Sequence, residues 1–293
     1  SSAASDVYKR QWEYIPDGEP RVFGDRVYLY GSHDRVGADM FCDYRLKIWS
    51  ASVNDLNHWK CHGDSFHTRP DQLHQADTDW TDHELYAPDV VKKGSKYYLF
   101  AYILWAKGCV GVSDHPEGPF KLVSRYQYDE STGGDEGIFN DPGVLVDDDG
   151  RVYIYYGYEK SHMGEINPEN MTEILPGSYR ENLIPAGDGE TDFFEASSIR
   201  KVNGLYYLIY SPRKGNRLAY AVSESPRGPF VRKGTIIDNG IDYPAGNNHG
   251  SICQINGQWY VFYHRMTNGT LTSRRACVEK INISVSYTHL TLP

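Results

Sequence analysis

One pattern, written five times along the chain, limits what it can fold into. Each copy starts at a charged or polar residue, passes through a short apolar segment to a turn, and returns as a dense aromatic and aliphatic run. Asp17 precedes PRVFGDRVYLYGS and Asp89 precedes VVKKGSKYYLFAY. Asp141 opens DPGVLVDDDGRVYIYYG, Glu195 opens EASSIRKVNGLYYLIYS, and His249 opens HGSICQINGQWYVFYHR. The steps between copies are 72, 52, 54 and 54 residues. Turn pairs such as Asn203-Gly204 accept the positive φ of a tight hairpin, so each copy reads as two antiparallel strands. A period of roughly 40–50 residues built from short strands marks a β-propeller with one four-stranded blade per repeat. The expected fold is all-β, a five-bladed β-propeller, with residues 64–84 as an insertion that lengthens the first step.

A second repeat agrees. VSDHPEGPF at 112–120 and VSESPRGPF at 222–230 lie 110 residues apart, about two blades. Their Pro-x-Gly-Pro core suits a turn between the outer strands of a blade. The ends lack this patterning. Residues 1–11 and about 284–293 are set aside as tails foreign to the fold, leaving 12–283 as one propeller domain. Only 276–283 reads as a strand after Arg265, so the last blade is expected to be cut short with an unpaired edge. The compartment stays open between secreted or periplasmic and cytoplasmic.

Composition narrows the function. With net charge −9 and no basic cluster, nucleic acid is not an expected partner, nor is a membrane. The five cysteines, at 42, 61, 109, 253 and 277, are scattered and form no CxxC, so neither a disulfide scaffold nor a zinc site is indicated. His58, His62, His67 and His74 read as solvated loop histidines, because metal ligands normally come in a tighter frame. Asp147-Asp148-Asp149-Gly150 reads as a hairpin turn, since Tyr158 stands where a calcium loop needs an acid. No GxSxG, P-loop or GxGxxG motif is present. The 24 tyrosines and 6 tryptophans suit a β-rich core and equally the stacking of sugar rings.

In a propeller the innermost strands run along the central axis, so equivalent strand starts converge at one mouth of the channel. Asp17, Asp89, Asp141, Glu195 and His249 would then ring that mouth. Crowded carboxylates repel, which raises the pKa of at least one. A glycosidase needs one protonated carboxyl to protonate the departing oxygen and one ionised carboxyl to activate water. Glu195, beside Phe193-Phe194, is the best placed to stay protonated. Taken singly, Asp17 and Asp141 would be turn residues, Glu195 a surface acid and His249 a satisfied core histidine.

Together these segments, with YAPDVVKK, FEASSIRK and NNHG, resemble glycoside hydrolase family 43 over nearly the whole chain. That family consists of five-bladed propellers that act, with inversion, mainly on arabinose- and xylose-containing glycans. The resemblance implies Asp17 as general base, Asp141 as the acid that orients and tunes its neighbour, and Glu195 as general acid. The first motif departs from the family's, since Gly-Glu-Pro follows Asp17, and Glu19 is thus a rival base. Arg274, in SRRACVEK, matches a sugar-contacting arginine. Asp89 is assigned to structure or to the substrate-binding wall. His249 matches an axial histidine that in some members holds a calcium ion or its water. No cofactor is expected for the chemistry, and any calcium on the axis would be structural. The implied activity is removal of arabinofuranosyl or xylosyl residues from an oligo- or polysaccharide. A galactofuranosidase of the same fold or a non-catalytic sugar-binding propeller are the alternatives.

Overall fold

A computed structural model describes residues 13–125, 139–214, 216–240, 247–284 and 289–291. The tail 1–11, with 285–288 and 292–293 at the other end, lies outside them. The described residues form twenty strands in five sheets of four. The first sheet holds β1 (Glu19–Phe23), β2 (Arg26–Tyr30), β3 (Arg45–Ser52) and β4 (Asp55–His67). The second holds β5 (Leu85–Lys93), β6 (Lys96–Ile103), β7 (Lys107–Ser113) and β8 (Lys121–Arg125). The third holds β9 (Gly143–Val146), β10 (Val152–Tyr156), β11 (His162–Ile166) and β12 (Arg180–Glu181). The fourth holds β13 (Phe193–Val202), β14 (Leu205–Pro212), β15 (Arg217–Ser223) and β16 (Val231–Asp238). The fifth holds β17 (Gly250–Ile255), β18 (Gln258–Met266), β19 (Arg274–Ser284) and β20 (His289–Thr291).

Each sheet pairs antiparallel in simple chain order, and the first strands β1, β5, β9, β13 and β17 touch one another in a ring. This is the five-bladed propeller expected from the repeats. The strand-to-strand turns away from the mouth sit at Gly24, Gly94, Gly150, Gly204 and Gly257, all at positive φ. At Asn203-Gly204 and Asn256-Gly257 both residues are left-handed, the geometry that suits a twisted two-residue hairpin.

Side chains between neighbouring blades make five apolar clusters. Tyr155 and Met163 of the third blade pack with Leu208 and Phe230 of the fourth, for example. Fully burying one such side chain contributes about 1.5–3 kcal/mol. The Pro-x-Gly-Pro turns lie between β7 and β8 and between β15 and β16, as their sequence indicates. Each is tied to the preceding blade by a buried tyrosine: Tyr30 donates to Pro116 O at 2.7 Å, and Tyr155 to Pro226 O at 2.5 Å. The fifth blade meets the first by apolar packing, through Ile15, Val27 and Trp49 against Ile255, Phe262 and Val278, and by polar contacts such as Asn256 Nδ2 to Val53 O at 2.9 Å. No strand is exchanged at that junction.

The last blade differs from expectation. Residues 289–291, inside the stretch set aside as a tail, pair with β19 and give the fifth sheet its fourth strand. Backbone pairing along 282–284 thus covers an edge that the sequence pattern left open. Among the described residues no helix is long and apolar enough to cross a membrane.

Candidate active site

At the mouth of the ring a cavity of about 400 Å³ opens between the blades, a size typical of small-molecule sites. Asp17, Asp141, Glu195, His249 and Arg274 line its floor, and Phe41, Tyr86, Tyr158, Phe194 and Leu271 form its walls. A second cavity of about 420 Å³, on the outer edge of the fourth blade near Leu205 and Val231, gathers no such set of acids.

The backbone that delivers these groups is strained. Asp17, Ala87, Asp141 and Ala196 all have φ between 34° and 66°, a region that side-chain-bearing residues seldom occupy. All four lie where an innermost strand enters the ring. Register shifts in the β13–β14 pairing flank Glu195 on both sides and turn it out of the regular ladder. Strain of this kind persists only where surrounding contacts enforce it, and it concentrates at functional sites.

Asp17 is held on three sides. Its amide donates to His264 Nδ1 at 3.1 Å, while His264 Nε2 faces Asn247 O at 3.1 Å. Nδ1 is therefore the unprotonated nitrogen, and burial, which pushes the imidazolium pKa down to about 4, keeps the ring neutral. Arg274 Nη1 donates to Asp17 Oδ1 at 3.1 Å. Burial works against the Asp17 charge, yet Arg274 foremost, with a hydrogen bond from Ser32, holds its carboxyl below the usual value. Ser32 Oγ also accepts the Ala87 amide at 2.7 Å, which ties the first blade to the second beside Asp17.

Glu195 has the opposite surroundings. Burial and the negative charge of Asp17 push its pKa up to about 7, against Arg274 and a 3.2 Å bond from Asn247 Nδ2 to Oε1. Asp141 is raised to about 7 as well, by burial and, against His249, by the charges of Glu195 and Asp17. Its Oδ2 accepts the Ala196 amide at 3.0 Å, so it fixes the backbone next to Glu195. One carboxyl ionised and another protonated across a single cavity is the division of labour that acid–base hydrolysis of a glycoside requires.

The ring of five strand starts is corrected at one position. Asp89 is fully buried and does not line the cavity. It takes Arg21 Nε at 2.9 Å, Arg21 Nη2 at 2.5 Å and the Val144 amide at 2.7 Å. The cause is register. Asp89 stands five residues before its turn glycine, Gly94, whereas Asp17, Asp141, Glu195 and His249 stand seven to nine before theirs. Counted this way, the second blade's residue at cavity level is Tyr86. Glu19, the rival base, also lies below the cavity. Its Oε1 is 2.5 Å from Arg200 Nη2 and accepts Ser198 and Ser251 Oγ, both at 3.2 Å.

Arg274 faces the cavity, but its five N–H groups are all engaged within the protein. Nε and Nη2 grip Asp34 at 2.9 and 2.8 Å, and Nη2 also reaches Cys42 Sγ at 3.3 Å. Nη1 serves Asp17 and Asn247 Oδ1 at 3.1 and 3.0 Å. Its work is to hold Asp17 ionised, and the sugar contact implied by sequence resemblance has no donor left to make it.

His249 Nδ1 lies 3.8 Å from Asp17 Oδ1 and 3.9 Å from Asp141 Oδ2. Calcium takes six to eight oxygen ligands. The axial carboxylates beneath His249 are committed, Glu19 to Arg200 and Asp89 to Arg21. Among the described residues no oxygen cage stands there, and an ion at this point fits as one held by the His249 imidazole and solvent.

Asn247, His264, Asp34, Ser32 and the aromatic walls are site residues that the repeat pattern does not reveal. Tyr86 lies in residues 80–88, whose lead into the second blade marks them in the sequence as a wall of the pocket. Asp34 follows the conspicuous Ser-His after β2, but nothing local announces its partner 240 positions away.

A model of the glycosyl hydrolases family 43 matches residues 15–286. A xylosidase/arabinosidase of Thermoclostridium stercorarium is 39% identical over 307 residues, covering 94% of this chain and 64% of that protein. The chain thus spans a little under two thirds of that relative's length. A beta-xylosidase of Xylanibacter ruminicola is 30% identical, with 86% of this chain and 88% of that protein covered. Among solved structures, a beta-xylosidase/alpha-arabinofuranosidase from a compost microbial metagenome, in complex with xylotriose and calcium-free, superposes with a TM-score of 0.80. It is 26% identical, and the match covers 94% of each chain.

Proposed function

We propose that this chain, which belongs to glycosyl hydrolases family 43, is an inverting glycosidase that removes arabinofuranosyl or xylosyl residues from plant cell-wall glycans or their oligosaccharides. The observation that carries the reading is the opposed electrostatics of Asp17 and Glu195 across one cavity. The activities of the two relatives and the metagenome enzyme support the sugar class.

In this mechanism the sugar ring lies against the aromatic walls with its anomeric carbon over the carboxyls. Glu195, protonated, gives its proton to the glycosidic oxygen as the bond breaks. Asp17, ionised, takes a proton from the water that attacks the opposite face. Turnover leaves Asp17 protonated and Glu195 ionised, and exchange with solvent restores both. Asp141 accepts the Ala196 amide and so holds the backbone that presents Glu195. An ion at His249, where present, would add positive charge beside Asp17 and Asp141.

A panel of 4-nitrophenyl arabinofuranoside, xylopyranoside and galactofuranoside tests the substrate, with the anomer of the first-formed sugar read by NMR. Turnover of the first or second with inversion is expected. Turnover of the galactofuranoside alone would move the assignment to that sugar. Tight sugar binding without turnover would favour a lectin, although a lectin would be expected to repeat similar pockets between blades. Here unlike residues meet in a single axial cavity.

A further inference from the structure

At the end of β4, away from the cavity floor, two of the four histidines, His67 on the strand and His74 in the loop after it, stand together among carboxylates. Asp64, His67, Asp71 and His74 each bring one ligand atom to within 4.8 Å of the other three. The two imidazoles stack with centroids 4.7 Å apart at 18°. His67 Nε2 is 3.3 Å from Asp64 Oδ2, and His74 Nδ1 is 3.3 Å from Asp71 Oδ1. His58 and His62 stand elsewhere, with Asp55 and Ser50 respectively.

The backbone presets this arrangement. The loop after β4 is closed by His67 and Asp77, whose amides bond to Asp77 Oδ2 and His67 O, both at 2.8 Å. Inside it the Asp71 amide donates to His74 O at 2.9 Å. Asp71 Oδ1 in turn accepts the amides of Leu73 and His74 at 2.7 and 2.8 Å. The nine residues between His67 and Asp77 are thus folded so that one Asp–His pair faces another across a few ångströms.

We propose that Asp64, His67, Asp71 and His74 form a binding site for a divalent ion of the zinc class. Two imidazole nitrogens with two carboxylate oxygens make a four-coordinate set suited to zinc and its borderline neighbours. Calcium, which wants six to eight oxygens, is disfavoured. Arg45 now sits 3.2 Å from Asp64 and 3.6 Å from Asp71, where it competes with a cation for both. It also lies 3.3 Å from Asp43, a partner it retains when an ion displaces it. Such an ion would staple the loop to the end of β4. The same loop leads into Leu85-Tyr86, so it would brace one wall of the cavity without entering the chemistry.

The test is calorimetric titration of zinc chloride into the full chain after chelator treatment and desalting, paired with cobalt(II) absorption. One saturable site and the strong visible bands of four-coordinate cobalt are expected. His74→Ala and Asp71→Ala should weaken binding by at least about tenfold, since even outer-shell changes cost metal sites that much. Arg45→Ala should tighten it, whereas a purely structural Arg45 would leave it unchanged. His67 is buried, so the exposed His74 is the deciding variant, checked for folding by its thermal melt. Absence of saturable binding would overturn the proposal. So would zinc binding that survives His74→Ala and disappears with Cys61→Ser, the exposed thiol being its own soft ligand.

Discussion

Arg274 Nη1 and Asp17 Oδ1 meet at 3.1 Å across the junction of the last blade and the first, with both side chains nearly buried. The pair sets the charge of the base. Removing the guanidinium leaves burial unopposed, so Arg274→Met should raise the Asp17 pKa and move the acidic limb of kcat/KM to higher pH. It also strands the buried Asp34 carboxylate, a change that typically costs about 3–5 kcal/mol. Thermal melts and pH–rate profiles of the variant check both effects.

Glu195 and Asp17 can be told apart by the leaving group. A general acid matters most when the departing oxygen is basic and least when a stable phenolate departs. Glu195→Ala should lose on the order of 10²–10⁴ in rate on xylo- or arabino-oligosaccharides and far less on a dinitrophenyl glycoside. Asp17→Ala should lose similar factors on both. Equal losses for Glu195→Ala on the two substrates would remove it from the role of proton donor. A near-normal Asp17→Ala beside an inactive but folded Glu19→Ala would transfer the base to Glu19.

The pH dependence follows with a definite sign. Asp17, held below its ordinary value, is ionised through the mildly acidic range, and Glu195 stays protonated up to about pH 7. The rate should therefore be level through the weakly acidic range and fall as pH rises past about 7. Stability moves with it. A carboxyl whose folded pKa is raised binds more protons folded than unfolded, so it costs stability as pH climbs from its ordinary value of 4.5 to about 7. Glu195→Gln should flatten that part of the stability curve, measured by denaturant titration at several pH values. Asp17 contributes the reverse: its stabilisation is present above 3.8 and is lost as pH falls.

Asp89 separates structure from chemistry. Asp89→Ala leaves Arg21 with a buried charge and fewer partners, so stability should fall by about 3–5 kcal/mol. KM for a 4-nitrophenyl glycoside, measured well below the melting temperature, should stay within about twofold, because Asp89 does not reach the cavity. A selective rise in KM would return it to the substrate wall.

The blades were legible because hairpins are local. Asn203-Gly204 and the alternation around it state strand, turn and strand within one short segment, and five repetitions state the ring. Asp17, Asp141, Glu195 and His249 were legible because repetition put unlike polar residues at like places. Asp89 drops out of the ring, and keeps the structural role, because it stands closer to its own turn than the other four do to theirs. The walls were hidden for another reason. Phe41, Tyr158 and Leu271 come from loops that differ in every blade, and only the closed ring brings them together. His67 and His74 read in the sequence as solvated because the backbone bonds that fold this loop back on itself are invisible in a spacing. The strand at 289–291 pairs without any alternation that would announce it.

The junction between the fifth blade and the first has no shared strand to hold it. Besides apolar packing and the bonds of Asn256 to Val53 and Asn268 to Tyr14, the grip of Arg274 on Asp34 and Asp17 crosses it, together with the bond from Asp17 to His264. The catalytic apparatus is thus also the clasp of the ring. Were that seam to spring, the base would lose its guanidinium, its histidine and its charge in one event, with every sheet still intact. Inactivation should therefore precede melting, and a glycan seated in the cavity would act as a rivet between the two ends of the polypeptide.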